Sequence, residues 1–199
     1  MEFKVYSCED IINLPREELK YPSFPSIERI ENIRCFINEK IDGTNGMIEI
    51  TKDALRFGSR NTYLSSKEDN HGFYKFCKEY ITYPVSDIII RRLYPNNPPT
   101  YPVRIYGEWF GKGIQRTYGL KARYFMPFNP YHADALTYCG VPYIVYPAEL
   151  YSGKFSVSQL ELCMDDLKLR GSKVIEDYMN PEGVVIYFPK YNFSLKRKF

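Results

Sequence analysis

Short runs of alternating or branched apolar residues dominate the chain, and helical spacing interrupts them irregularly. Arg34 to Ile37 reads as a strand, and Gly46 to Thr51 with Leu55 to Phe57 as a hairpin turned at Lys52-Asp53. Helical spacing follows over Phe73 to Tyr80 and Ser86 to Leu93, with Ser86 as N-cap of the second. Val103 to Phe110 is rich in branched and aromatic residues and predicts a strand that Gly111-Lys112-Gly113 stops. Tyr124 to Phe128 and Tyr143 to Tyr146 predict further short strands. Leu160 to Leu169 predicts a helix capped by Ser156 or Ser158 and ended by Gly171. Gly183 to Phe188 and Tyr191 to Leu195 predict a final strand pair joined at Pro189-Lys190. Before all of these, residues 6 to 20 read as a short lead-in, and the prolines of Tyr21 to Pro25 require extended backbone. The pattern predicts α+β with antiparallel sheets, not a doubly wound parallel sheet.

Composition narrows the classes. With 199 residues, 44% hydrophobic and 26% charged, the chain reads as one soluble domain over residues 1–199. No apolar run approaches a membrane span, and the start has no signal-peptide pattern, so a cytosolic or nuclear-type compartment is expected. Five scattered cysteines read as reduced thiols, and two histidines leave little for zinc chemistry or a histidine-centred triad. The net charge of +3 says little. Local clusters say more: Lys112 with Arg116, Lys121 with Arg123, and Lys196-Arg197-Lys198 stand among tyrosines and phenylalanines, a composition suited to phosphates and bases.

The chemistry centres on Asn38-Glu39-Lys40-Ile41-Asp42-Gly43-Thr44-Asn45-Gly46. A nucleophilic lysine has to lose its proton near neutral pH, and a partly buried loop among charged groups suits that task. Alone, Asp42-Gly43 before an alternating run is better read as a hairpin turn. It does not stand alone. Phe57-Gly58-Ser59-Arg60-Asn61, Tyr106-Gly107-Glu108-Trp109-Phe110-Gly111, Phe125-Met126-Pro127-Phe128, Glu182-Gly183-Val184-Val185-Ile186 and Ser194-Leu195-Lys196-Arg197-Lys198 follow in order.

This series, over residues 39 to 198, resembles the covalent nucleotidyltransferases: ATP-dependent DNA ligases, RNA ligases and mRNA-capping enzymes. Glu39-Lys40-x-Asp42-Gly43-Thr44-Asn45 looks most like the RNA ligase 2-type family; the others more often have arginine where this chain has Asn45. The resemblance implies an ATP-grasp-like nucleotidyltransferase domain of two antiparallel sheets flanked by helices, with ATP in the groove between them. It implies attack of Lys40 on the ATP α-phosphate, transfer of AMP to a 5′-phosphate and joining to a 3′-OH. Lys196 and Lys198 would neutralise phosphates, both on one strand face with Arg197 turned away. Glu182 and Asp42 would serve Mg2+ or Mn2+. Glu108 would bind the ribose, Arg60 phosphate or ribose, Glu39 the adenine amino group, and Phe128 the adenine face; Asn45 and Arg60 would align the ends to be joined.

Two features depart from the family pattern. Phe128 is followed by Asn129 instead of aspartate, and the chain ends just beyond the last motif, so no separate C-terminal domain is expected. RNA ends or a nicked duplex would then be held by the catalytic face, at Lys112, Arg116, Lys121 and Arg123. A monomer is the expectation. A DNA ligase or capping-type transferase, and a silent nucleotide- or RNA-binding module, are the alternatives.

Overall fold

The chain crosses from one antiparallel sheet to another just after Lys40, and that crossing organises the molecule. A computed structural model describes residues 30–199; the lead-in and the extended Tyr21 to Pro25 lie outside the described residues. One sheet joins β1 (Arg34–Lys40), β6 (Glu149–Lys154), β7 (Gly183–Phe188) and β8 (Phe193–Lys198) in the order β6-β1-β7-β8. The other joins β2 (Thr44–Ile50), β3 (Leu55–Gly58), β4 (Val103–Gly111) and β5 (Arg123–Pro127) in the order β3-β2-β4-β5. Within each sheet every neighbouring pair is antiparallel. The α+β expectation with two antiparallel sheets holds.

Each sheet buries one face against helices. Alternation turns Ile48, Ile50, Phe57, Ile105, Trp109 and Phe125 toward α1 (Phe73–Tyr80), α2 (Tyr83–Leu93) and α3 (Pro130–Tyr138), where Phe73, Phe76, Ile89 and Leu136 complete a core. In the first sheet Cys35, Ile37, Val184, Ile186 and Phe188 pack on Leu160, Cys163, Met164 and Leu167 of α4 (Val157–Arg170). Each such fully buried side chain contributes about 1.5–3 kcal/mol. A smaller cluster of Ile41, Phe110, Tyr118, Met126 and Ile175 lies beneath the crossing. The four described cysteines, Cys35, Cys77, Cys139 and Cys163, are free thiols.

Several boundaries differ from expectation for local reasons. Asp42-Gly43 does not turn a hairpin, because β1 and β2 belong to different sheets. Ser86 is not an N-cap: α2 starts at Tyr83 after Thr82, Pro84 fits its first turn because it needs no N–H partner there, and buried Ser86 donates its hydroxyl to the Tyr83 carbonyl at 2.8 Å. Tyr143 to Tyr146 forms no strand; only Ile144 bridges Phe125, beside a left-handed Tyr143. The last strand starts at Phe193, since Pro189–Tyr191 is a 3-10 turn and Asn192 is left-handed. Two elements, α3 and β6, had no sequence expectation.

Candidate functional site: a lysine crossing between two sheets

Lys40 ends β1, and register sets its surroundings. It lies opposite Gly183 on β7, which lies opposite Lys198 on β8. Gly183 has φ +145°, and a Cβ there would meet the Arg197 carbonyl at 2.0 Å, so only glycine lets the two strands close at this row. Directly before it, Glu182 is 3% exposed. One of its carboxylate oxygens contacts Lys40 Nζ, and the other meets Lys198 Nζ at 2.6 Å. Burial alone would raise the Glu182 pKa; the hydrogen bonds and charges of Lys198 and Lys40 outweigh it and hold the group below the usual carboxylate range. Lys40 Nζ also donates to the Ile41 carbonyl at 3.3 Å.

Alternation puts Lys196, opposite Val185, on the same face as Lys40 and Lys198. Arg197 points the other way, onto α4, where its guanidinium bridges both oxygens of Glu161 at 2.5 and 3.0 Å. The expected division of the basic triplet is therefore present in the structure.

The loop after Lys40 is held from the second sheet. Gly43 sits so close to β4 that a Cβ would lie 2.4 Å from the Trp109 carbonyl, and its N–H donates to Glu108 Oε1 at 3.0 Å. The Asp42 N–H donates to the Tyr118 hydroxyl at 2.6 Å. Burial pushes the Tyr118 phenol upward, so it stays neutral. Arg116 ties this loop to the approach to Glu182, meeting Asp42 Oδ2 at 3.5 Å and donating to the Asn180 carbonyl at 2.7 Å.

Opposite the lysines stands the open face of the second sheet. Asn45, Glu108 and Met126 form one row across β2, β4 and β5. Burial pushes the Glu108 pKa up to about 7, against the opposing pull of Lys40, the Gly43 N–H and Lys196. Asn45 Oδ1 accepts from Arg60 Nε at 2.8 Å, so those two side chains are joined. Phe128, just past β5, is exposed and donates its N–H to the Tyr106 carbonyl at 2.9 Å. Asn129, where the family has aspartate, is the N-cap of α3 and accepts the Tyr131 N–H at 2.9 Å.

Glu39 lies on the other face of β1 from Lys40. Strand alternation turns it away from Lys40, and its Oε2 accepts N–H groups from Lys173 at 2.6 Å and Val174 at 3.1 Å. Among the described residues its Oε1 is buried without a hydrogen-bond partner, and burial raises its pKa against the pull of the Ser172 hydroxyl and the two N–H groups. Sequence reasoning missed the roles of Tyr118, of Gly43 as a donor to Glu108, and of Asn70, whose amide donates to the Asn45 carbonyl at 3.0 Å and accepts from Thr44 Oγ1 at 3.0 Å. For Asn70 a signal existed: Asn70-His71-Gly72 is a run suited to the left-handed backbone it adopts. Of the cations expected to hold nucleic acid, Lys112 and Lys121 are exposed. Arg123 instead donates to the Lys112 and His71 carbonyls, at 2.9 and 2.7 Å.

No described cluster of three His, Cys, Asp or Glu side chains could hold a metal by itself. The donor chemistry nevertheless fits a hard divalent ion of the Mg2+ type, which takes one or two carboxylates and completes its shell with phosphate and water. Glu182 and Asp42 are two carboxylates that could serve such an ion, on either side of the crossing, and each is paired with a cation, Lys198 and Arg116.

Comparison with known proteins agrees with this fold. A family model described as RNA ligase matches residues 33–198. No curated protein matches the sequence. Among solved structures, a mutant of the Naegleria gruberi RNA ligase with ATP and Mn superposes with a TM-score of 0.60 at 14% identity, over 89% of this chain and 57% of that one. The same ligase with PPi gives 0.57 at 18% identity, again over 89% and 57%. A further mutant with AMP and Mn gives 0.57 at 15% identity over the same shares. At these identities the likeness is one of fold, and this chain spans only 57% of the length of each relative.

Proposed function

The chain belongs to the RNA ligase family, and from that premise we propose that it is an ATP-dependent RNA ligase acting through a lysyl-adenylate at Lys40. The observation that carries this reading is the placement of Lys40. It sits at the crossing between the sheets, against a buried Glu182 shared with Lys198, on the strand face that also presents Lys196.

In the first step the Nζ lone pair attacks the α-phosphorus of ATP, forming an N–P bond while the bond to the bridging oxygen breaks and pyrophosphate leaves. Nζ has to lose its proton to solvent before it attacks, and Glu182 Oε2, in contact with Nζ, holds the side chain in place. Lys196 and Lys198 face the phosphates, where preorganised cations offset the charge that builds in the transition state. Glu108 receives the ribose hydroxyls, Phe128 offers a ring to adenine, and Glu39 Oε1 is the acceptor for the adenine amino group. Bound at Glu182 and Asp42, Mg2+ or Mn2+ supplies positive charge to the phosphates. AMP then passes to an RNA 5′-phosphate, and a 3′-OH displaces it, with the Arg60–Asn45 pair aligning the ends. The partner is RNA, as separate ends or a nicked duplex. A single adenylyltransferase domain over residues 1–199, a monomeric state and a cytosolic setting belong to the same reading. No described helix is long and apolar enough to cross a membrane.

Incubation with ATP and Mg2+ or Mn2+ should add the mass of AMP to the intact protein. Lys40→Ala and Lys40→Arg should both abolish the adduct, the second because guanidinium keeps the charge but stays protonated. An adduct mapped to another lysine overturns the assignment. Equal labelling by GTP turns the reading toward a capping-type transferase.

A further inference from the structure

The open face of the second sheet does not end at the nucleotide groove. Residues directly opposite on antiparallel strands share a face, so the row Asn45–Glu108 is followed by Met47–Tyr106 and then by Glu49, with Arg104 on one side and Arg56 on the other. Four residues along β4 separate Glu108 from Arg104, about 13 Å at strand rise. That distance corresponds to roughly four nucleotide steps along a strand in a duplex.

The last row is built with care for charge. Glu49 is 1% exposed and lies among three donors: Arg104 Nε at 2.7 Å, Arg56 Nη1 at 3.3 Å, and the Tyr63 hydroxyl at 3.1 and 3.2 Å from its two oxygens. Arg104 and Arg56 remain 43% and 55% exposed, and each guanidinium has further N–H donors beyond the one aimed at Glu49. Both heads are thus fixed from below and open above. Together with Lys52, Tyr63 and Tyr101 they line a surface concavity of about 370 Å³. Three cations face two carboxylates there, and one of the two, Glu49, is buried beneath the arginines. Arg56 also lies over the Tyr63 ring, its guanidinium carbon 5.8 Å from the centroid. Paired arginine forks beside tyrosine rings are suited to a phosphodiester and its base.

We propose that this concavity is a second RNA-binding site, in which Arg104 and Arg56 hold a backbone phosphate of the substrate strand several nucleotides from the joint. The inference rests on the ligase reading for the identity of the strand. It does not rest on it for the geometry: the same sheet face leads from the row of Glu108 to the concavity, and the arginine pair is aimed by a carboxylate that takes no part in adenylylation.

The test uses two variants of the full chain. Arg56→Ala removes the more exposed and more weakly held guanidinium. Glu49→Gln with Arg104→Gln removes the second without leaving a buried carboxylate short of partners. Each is compared with wild type for self-adenylylation by intact mass and for binding of a short fluorescein-labelled single-stranded RNA by anisotropy across a salt titration. Both variants should self-adenylylate as wild type does. Their RNA affinity should fall roughly tenfold, the effect of one lost charged hydrogen bond. The slope of log affinity against log salt should become shallower by about 0.7 for each lost phosphate contact. RNA binding and slope equal to wild type overturn the inference and leave the ligase reading intact. Loss of self-adenylylation in a variant that keeps its circular dichroism spectrum also overturns it, because the concavity would then belong to the nucleotide site. A wild-type protein that binds RNA but never self-adenylylates sinks the ligase reading alone, and the anisotropy comparison still decides the concavity.

Discussion

Two buried glutamates, at opposite ends of the working surface, are each clasped by two cations. Glu182, 3% exposed, lies between Lys40 and Lys198; Glu49, 1% exposed, lies between Arg104 and Arg56. In both, burial would raise the carboxyl pKa, and the cations bring it below the usual range. The difference is in the cations. Lysine can give up a proton and become a nucleophile, whereas arginine keeps its charge and offers a fixed fork of donors. On the reading proposed above, the same electrostatic arrangement serves bond making at one end and anchoring at the other.

Neutralising each glutamate in turn should separate the two ends, and the larger effect is expected at Glu182. Glu182→Gln should slow single-turnover labelling by ATP roughly a hundredfold to a thousandfold, the usual cost of removing a charge aimed at a transition state. Glu49→Gln should leave labelling unchanged and instead lower stability to chemical denaturation by about 1–3 kcal/mol, through weakened charged hydrogen bonds. Equal losses of labelling in the two variants would mean that the ends are not separate, and the comparison would fail.

The chemical end was legible in the sequence because its residues sit in compact motifs, and strand alternation alone sorts Lys196 and Lys198 from Arg197. The anchoring end was not, because Glu49, Arg56 and Arg104 come from three strands and meet only through register. Fold elements divide in a similar way. The helix over Phe73 to Tyr80 was legible to the residue from its spacing. The strand β6 was not: Glu-Leu-Tyr-Ser-Gly-Lys is a mostly polar edge strand, and its pairing with β1 shifts register between Ile37 and Asn38. The helix α3 carried a legible start in Asn129-Pro130, an N-cap followed by proline, that went unread. Nor does local pattern reveal that Asp42-Gly43 joins two sheets, because alternation looks the same whether the next strand pairs back or departs.

A third glutamate sharpens the comparison through pH. Among the described residues Glu108 has no ion pair like those of Glu49 and Glu182, and burial pushes its pKa up to about 7. A carboxyl that binds its proton more tightly in the folded chain contributes stability that is whole below the ordinary carboxylate range and is lost as pH rises through about 7. Glu182 and Glu49 act in the opposite sense: their contributions are present above the ordinary range and fade as pH falls through their lowered values. The thermal midpoint of Glu108→Gln relative to wild type should therefore rise between about pH 5 and pH 8, by a few degrees for a chain of this size. A difference that stays flat across that interval would show that Glu108 is not held protonated by its surroundings.

The smallest effect is expected at Asn129, where the family pattern has a carboxylate and this chain does not. Its backbone is extended, with φ −101° and ψ 123°, and its side-chain oxygen accepts the Tyr131 N–H in the first turn of α3. Asparagine and aspartate are nearly equivalent as caps, so the missing charge leaves the helix start satisfied. Asn129→Ala should cost about 1 kcal/mol in chemical denaturation. Asn129→Asp should keep the cap and add about 0.3–1 kcal/mol, because a negative charge then faces the positive end of the helix. Neither change should alter the ATP concentration that half-saturates labelling, since Phe128 keeps its place through its own N–H bond to Tyr106. A severalfold fall in that concentration for Asn129→Asp would show that the family's carboxylate serves the nucleotide as well as the helix, and would set the position beside Glu182 instead of Glu49.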